Sequence, residues 1–382
     1  MVAREVPDEK LLQEVEIYRR FNNTKVAAEH LGMSARTFRG HMAMAKYRGM
    51  LLSDGAKRVV DTAKLSPAEA KGGWLHSYDS DGKKIGATRW QAQDISPEDW
   101  LDRLESAFAG IAPAPIIPSP DRTLADLVTI YPIADAHIGM MAWGKETGED
   151  YDTAKACSRL TRWIGRAVAS SPASETAIVI GVGDLTHADD QTNQTPRSKH
   201  ALDVDTRHFK TMDMTIAAIG SAIETAAQKH EKVIVPILPG NHDMHSYMAI
   251  LFAMHERYRD NPRIEIVKRP GEFFVRRFGK LLIAAHHGDK AKPERIVLML
   301  SDSHAEDWGQ TKKRVLFTGH LHHLKSADIG GVEWEQLRAM TAKDGFAVSH
   351  AYAARAELQA ITYNVGGYED CRFKVGVMNG DD

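Results

Sequence analysis

Side chains that hold metal ions and move protons gather in five short clusters along this 382-residue chain. In order they are Asp135-Ala136-His137, Gly183-Asp184, Gly240-Asn241-His242-Asp243, His286-His287-Gly288-Asp289 and Gly319-His320-Leu321-His322. A large share of the 18 histidines falls in this region. Carboxylate, amide and imidazole donors without a thiolate suit Mn²⁺, Fe or Zn²⁺ better than Mg²⁺ or Ca²⁺. One Asp-x-His is more often a capped turn than a ligand pair. Five clusters in series, each directly after an apolar run, point to one shared site.

The apolar runs that must carry these clusters are short and strand-like: Val128 to Ala134, Ala177 to Val182, Val233 to Leu238, Leu281 to Ala285 and Val315 to Thr318. Helical patterns lie between several of them, notably Thr153 to Ser170 and Thr211 to His230. The class is therefore α/β, with the polar clusters at strand carboxyl ends, where open α/β sheets keep their sites.

The ordered set resembles the calcineurin-like metallophosphoesterase superfamily over roughly residues 124 to 375. The resemblance implies a β-sandwich flanked by helices, with the ligand loops at one end. It implies two divalent metal ions, Mn²⁺ first and Fe or Zn²⁺ as alternatives. Carried over residue by residue, Asp135, His137 and His322 hold one ion, Asn241, His287 and His320 hold the other, and Asp184 bridges both. The implied reaction is hydrolysis of a phosphate ester by in-line attack of a metal-bridging hydroxide on phosphorus. His242 is not a ligand in this scheme; it faces the substrate and supports the leaving oxygen. Asp243 is either a partner of the ligands or a loop-capping carboxylate, and Asp289 orients a ligand histidine. Alternation along a strand admits only one of His286 and His287, and the His-Gly-Asp arrangement favours His287. His187 and His323 lie next to these motifs without an assigned role.

Between Asp184 and the helix near Thr211 the chain is polar and without apolar periodicity. In the superfamily this segment borders the site, so Arg197, Lys199 and Arg207 are candidates to contact substrate phosphates. The stretch Thr195 to Arg207 is similar to phage and prophage phosphoesterases.

Ahead of all this, residues 8 to 50 read as three short helices, Lys10 to Phe21, Thr24 to Leu31 and Ser34 to about Lys46. Leu11, Leu12, Val15, Ile17, Val26, Ala27, Leu31, Phe38 and Met42 recur near helical spacing, Thr24 and Ser34 sit at N-cap positions, and Gly32 sits at the break. The pattern Val26-Ala27-Ala28, Leu31-Gly32-Met33-Ser34, Thr37-Phe38 resembles the helix-turn-helix family. That resemblance places Ser34, Ala35, Arg36, Arg39 and His41 towards DNA, with Lys46 and Arg48 near phosphates. The plain alternative is a helical bundle for protein contacts. The expected domains are 1–52 helix-turn-helix, 53–122 connector, and 123–382 catalytic. The connector has a hairpin around Asp79 to Gly82, a helix from Pro97 to Phe108 and a Pro-rich extended linker from Ala112 to Pro120.

Composition narrows the classes. A net charge of −2 and a pI near 6.8 exclude a uniformly basic nucleic-acid coat. Two cysteines, Cys157 and Cys371, exclude a disulfide framework, and no long apolar run suggests a membrane span. A cytoplasmic enzyme is expected, with DNA as substrate or partner and a homo-oligomer as a further expectation. The leading function is a phosphodiesterase or nuclease acting on DNA. The alternatives are a phosphomonoesterase or small-molecule phosphodiesterase, and a DNA-binding regulator with a vestigial metal site.

Overall fold

The structure, a computed structural model, describes residues 6–21, 23–48, 50, 72–78, 84–91, 108 and 111–377. They form two compact units, one up to residue 107 and one from Phe108 onward. Among the described residues no helix is long and apolar enough to cross a membrane.

The first unit begins with three helices, α1 (Asp8–Phe21), α2 (Thr24–His30) and α3 (Ala35–Tyr47). Leu11, Val15, Ala27, Ala28, Phe38, Met42 and Ala45 close its core. Leu12 and Val26, expected inside, are 48% and 42% exposed; each directly neighbours a core residue, and one residue is about 100° around a helix. Asn23, not Thr24, caps α2: its Oδ1 accepts from the Lys25 and Val26 amides at 2.9 and 3.1 Å, while Thr24 is buried. Ser34 Oγ accepts from Thr37 N at 3.0 Å, and Gly32 takes φ +66° at the break. His41, expected towards DNA, turns inward instead, its Nδ1 2.8 Å from the Glu14 carboxylate. Arg48 is likewise engaged within the unit, with Asp8 and the Val6 carbonyl. Two antiparallel strands follow, β1 (Gly72–Tyr78) and β2 (Lys84–Gln91). The turn expected at Asp79 to Gly82 and the helix expected from Pro97 lie outside the described residues, apart from Phe108.

The second unit starts at Phe108, earlier than the expected boundary at residue 123. The reason is that the Pro-rich run, although extended, is fastened down. Ala114 N donates to Arg257 O at 2.7 Å, Arg263 Nη1 to Ile117 O at 2.6 Å, and Ile111, Ala114 and Ile117 pack on the core.

Two sheets make the body of this unit. The first holds β3 (Leu124–Ile133), β4 (Ser174–Gly181), β5 (Lys232–Val235), β6 (Ile264–Ile266), β12 (Glu357–Asn364) and β13 (Tyr368–Gly376), in the order β13-β12-β3-β4-β5-β6. The second holds β7 (Phe274–Phe278), β8 (Leu281–Ala285), β9 (Lys313–Thr318), β10 (Lys325–Ile329) and β11 (Val332–Gln336), in the order β10-β11-β9-β8-β7. Strands β3 to β6 run parallel to one another, as do β8, β9 and β11.

Period-two alternation explains why near-continuous apolar runs suit these strands. Ile130, Ile178, Ile180 and Ile234 face a core shared with Ile283, Ala285, Val315 and Phe317 of the second sheet. Their neighbours Tyr131, Ile133, Ala177, Val179, Val233 and Val235 face the helices Thr153–Ser170, His208–Ala227 and Ser246–Tyr258. The helix Thr153–Ser170 shows how such a face is written: Ala156, Leu160, Trp163, Ile164 and Ala167 recur at three- and four-residue steps, and Asp152 caps the first turn through Lys155 N at 2.8 Å. Burying Leu160 and Ile164 contributes about 1.5–3 kcal/mol each. On the far side of the second sheet, Ala284, Leu316 and Trp334 pack on Ile296 and Leu300 of the helix Pro293–Ser303.

Candidate metal centre

All five clusters follow directly, or within a few residues, the carboxyl ends of parallel strands: β3, β4 and β5 from one sheet, β8 and β9 from the other. The donors therefore meet at the seam of the sandwich. His287 Nδ1 donates across it to Val182 O at 2.9 Å, while within the second sheet His286 N donates to Phe317 O at 3.1 Å and Gly319 N to His287 O at 2.8 Å.

The local backbone is bent to aim the side chains. Asp135, His137, Asp184, His320 and His322 all hold φ between +43° and +72°, the left-handed region that costs a residue with a Cβ about 1–3 kcal/mol. Two glycines permit the close approach. A Cβ on Gly240 would fall 2.0 Å from Asp184 Oδ1, and one on Gly319 would fall 2.6 Å from Asp135 Oδ2. The Gly-Asn and Gly-His pairs of the sequence are thus packing requirements of the two buried carboxylates.

Two groups of donors that include a carboxylate result, beside a third of imidazoles alone, His137, His187 and His242. Asp135, His137 and His322 form one, Asp184, His287 and His320 the other, with the donor atoms of each group within 4.8 Å of one another. Asn241 Oδ1 joins the second group, 3.1 Å from His287 Nε2. Asp184 lies between the groups, its Oδ2 3.1 Å from His287 Nε2 and 4.0 Å from His137 Nε2. Its Oδ1 accepts the His242 amide at 2.7 Å.

The electrostatics fit divalent cations. His137 Nε2 faces His322 Nε2 at 3.1 Å, and His137 Nδ1 faces His187 Nδ1 at 3.1 Å; facing imidazole nitrogens share at most one proton, so each contact keeps at least one unprotonated nitrogen. Burial, with the charges of His242 and His322, holds His137 well below the ordinary imidazole range, so it stays neutral as a ligand must be. Burial works to raise the Asp184 carboxyl, but the charges of His287 and His242 outweigh it and keep Asp184 ionised. Burial opposes the charge on His287 as well; Asp184 overcomes this and pushes it up to about 10.

Of the expected residues, Asp135, His137, Asp184, Asn241, His287, His320 and His322 come together. The histidine doublet is resolved: His287 enters the cluster, whereas His286 stacks on Phe273 at 4.5 Å and accepts Gly288 N at 2.9 Å. His242 lies beside the first group, its ring 4.7 Å from that of His137 and its Nδ1–H donated to His187 O at 2.8 Å. Asp243 is a strap between loops. Its carboxylate accepts from Gly240 N at 2.7 Å, Leu185 N at 2.8 Å and Asp184 N at 3.2 Å, and burial with the Asp184 charge pushes it up to about 7. Asp289 is half-buried and acts on His286 and His320 through its charge alone.

Arg197, Lys199 and Arg207 are exposed, and none of the three bonds to a donor of the cluster. Their segment does border it: Asp205 N donates to Gly139 O at 2.9 Å and Met141 N to Asp203 O at 3.0 Å, just beyond His137. His187, unassigned from sequence, is a member of the site, buried against His137 and stacked on His242 at 5.3 Å. Its spacing from Asp184, three residues on one loop, was the available signal. His323 points away, its Nδ1 2.8 Å from Leu321 O.

No family model and no curated protein matches the sequence. Among solved structures the chain is similar to a predicted phosphoesterase from Streptococcus pneumoniae TIGR4, at 11% identity over 66% of this chain and 100% of that one, with TM-score 0.28. It is similar to a novel archaeal phosphodiesterase at 12% identity over 65% and 99% of the two chains, with TM-score 0.33. It is similar to Vps29 of Entamoeba histolytica, complexed with Zn²⁺, at 13% identity over 65% and 98%, with TM-score 0.26. At such scores the activity of this chain is decided by its own side chains.

Proposed function

We propose that this chain is a two-metal phosphodiesterase whose substrate is DNA. The observation that carries the hydrolase reading is the pair of donor groups with the buried Asp184 carboxylate between them. Two divalent cations there would lower the pKa of a bound water and clamp the attacking and leaving oxygens of a phosphate ester. The chain's own residues do the rest. Asp135, His137 and His322 would hold one ion, and Asn241, His287 and His320 the other. Asp184 presents Oδ2 towards both groups while His242 N fixes its Oδ1. His242, with Nδ1–H committed to the His187 carbonyl, keeps Nε2 to exchange a proton with the leaving oxygen.

DNA is favoured as substrate by company: a helical unit with an exposed Ser34 and Arg36 at the start of α3, on one chain with a hydrolase, raises the local concentration of duplex. The test is hydrolysis with Mn²⁺ of single- and double-stranded DNA, a small phosphodiester and a phosphomonoester, with Asp184→Asn as control. DNA cleavage abolished in the variant is the expected result. Turnover of the phosphomonoester alone would replace the reading with a small-molecule phosphatase, and no turnover of any ester would remove the hydrolase reading.

A further inference from the structure

We infer that Phe346, His350 and Tyr352 form a stacking platform for a nucleobase flanking the scissile phosphate, an inference that rests on the DNA reading above. The three rings form one exposed cluster. Phe346 and His350 have centroids 4.1 Å apart, and His350 and Tyr352 lie 5.7 Å apart with their planes within 29°. Phe346 and Tyr352 are 57% and 59% exposed, an arrangement of large apolar surface that water disfavours and a flat aromatic ligand would cover.

The rings are held in place before any ligand arrives. Tyr352 N donates to Ala347 O at 2.8 Å, the His350 Nδ1 pairs with Phe346 O at 2.9 Å, and Ala351 takes φ +58° to turn the chain back. The segment is anchored to the metal centre. Met340 N donates to Ala134 O beside Asp135 at 3.2 Å, and Ala339 N to His322 O at 3.4 Å.

Charge selects the occupant. Between residues 338 and 355 the chain carries Arg338, Lys343 and Arg355, the last two exposed, against Asp344, whose carboxylate caps the helix Gly345–Ser349 through Ala347 N at 2.7 Å, and Glu146 of the neighbouring helix Gly144–Thr147, whose Oε1 lies 3.1 Å from where a Cβ on Gly345 would stand. Aromatic rings interleaved with cations beside a phosphate-directed site are the arrangement that binds unpaired nucleotides, bases on the rings and backbone on the cations. An uncharged apolar partner would leave Lys343 and Arg355 without a role.

The experiment measures binding of a short single-stranded thymidine oligonucleotide to the full chain by fluorescence anisotropy in EDTA, where no hydrolysis occurs, alongside an abasic oligonucleotide of the same length. Phe346→Ala and Tyr352→Ala are expected to weaken binding of the thymidine oligonucleotide about tenfold each, to leave abasic binding unchanged, and Tyr352→Trp to restore wild-type affinity. Unchanged thymidine binding in both alanine variants, equal losses on both oligonucleotides, or no binding by the wild type would each overturn the platform. Ring-dependent binding without any DNA hydrolysis in Mn²⁺ would keep the platform and remove DNA as the substrate hydrolysed, so the two failures are distinct.

Discussion

His242 and Asp243 are adjacent in the chain and have opposite tasks. The His242 side chain is oriented by a backbone carbonyl and lies beside His137 and His187, outside both donor groups that include a carboxylate, so truncating it should leave both cations bound. His242→Ala is expected to keep full metal stoichiometry and lower turnover by about 10²- to 10⁴-fold; metal analysis showing a lost ion would instead make it a ligand. The Asp243 carboxylate receives three backbone N–H groups from two loops. Asp243→Asn sets an amide donor against one of them, at a cost of about 1–3 kcal/mol. Its melting temperature, taken in EDTA so that metal affinity plays no part, should fall below wild type, and an unchanged value would refute the strap.

At the scale of elements, the site joins two sheets that elsewhere meet through apolar packing and a few polar bonds, such as Arg372 of β13 with Glu335 of β11 at 2.6 Å. Cations taking donors from the loops after β3, β4 and β5 on one side and β8 and β9 on the other would stabilise the sandwich by mass action, about 2.7 kcal/mol for each site at a hundredfold excess over Kd. For a unit of this size chelation should lower the melting temperature by roughly 5–10 °C per site. A melt indifferent to EDTA would contradict cross-sheet ligation. The same elements set a pH dependence. With its pKa raised to about 10 by Asp184, His287 carries a proton on Nε2 across the neutral range, and an ion taking that nitrogen must displace it. Metal affinity is therefore expected to rise with pH, and calorimetry in buffers of different ionisation enthalpy should register proton release. Pure binding heat in every buffer would refute the displaced proton.

For the molecule as a whole, the DNA proposal separates the work of the two units. Removing residues 1–60 should lower turnover of long duplex DNA several-fold and leave a small phosphodiester unchanged, since every donor lies in the second unit. Equal loss on both substrates would give the helical unit a folding role. The order of the pieces was legible from local pattern: the five strands carrying the clusters fall where apolar runs were read, within a few residues at each end, because a buried parallel strand must be apolar on both faces.

Donor types, their order along the chain and the glycines beside them are properties of short segments, so the sequence by itself determined the candidate ligands. Which histidine of a doublet turns inward depends on strand pairing across the sandwich, which local spacing suggests and only packing decides; that is why His287 and not His286 meets Asn241, and why His187 proved part of the site. His41 and Arg48 had acid partners, Glu14 and Asp8, more than twenty residues away, beyond the reach of any local pattern. The same holds for the three rings: Phe346 and His350 stand one helical i,i+4 step apart, but only the turn at Ala351 brings Tyr352 back beside them, and only the bonds of residues 339 and 340 tie their segment to the donor loops.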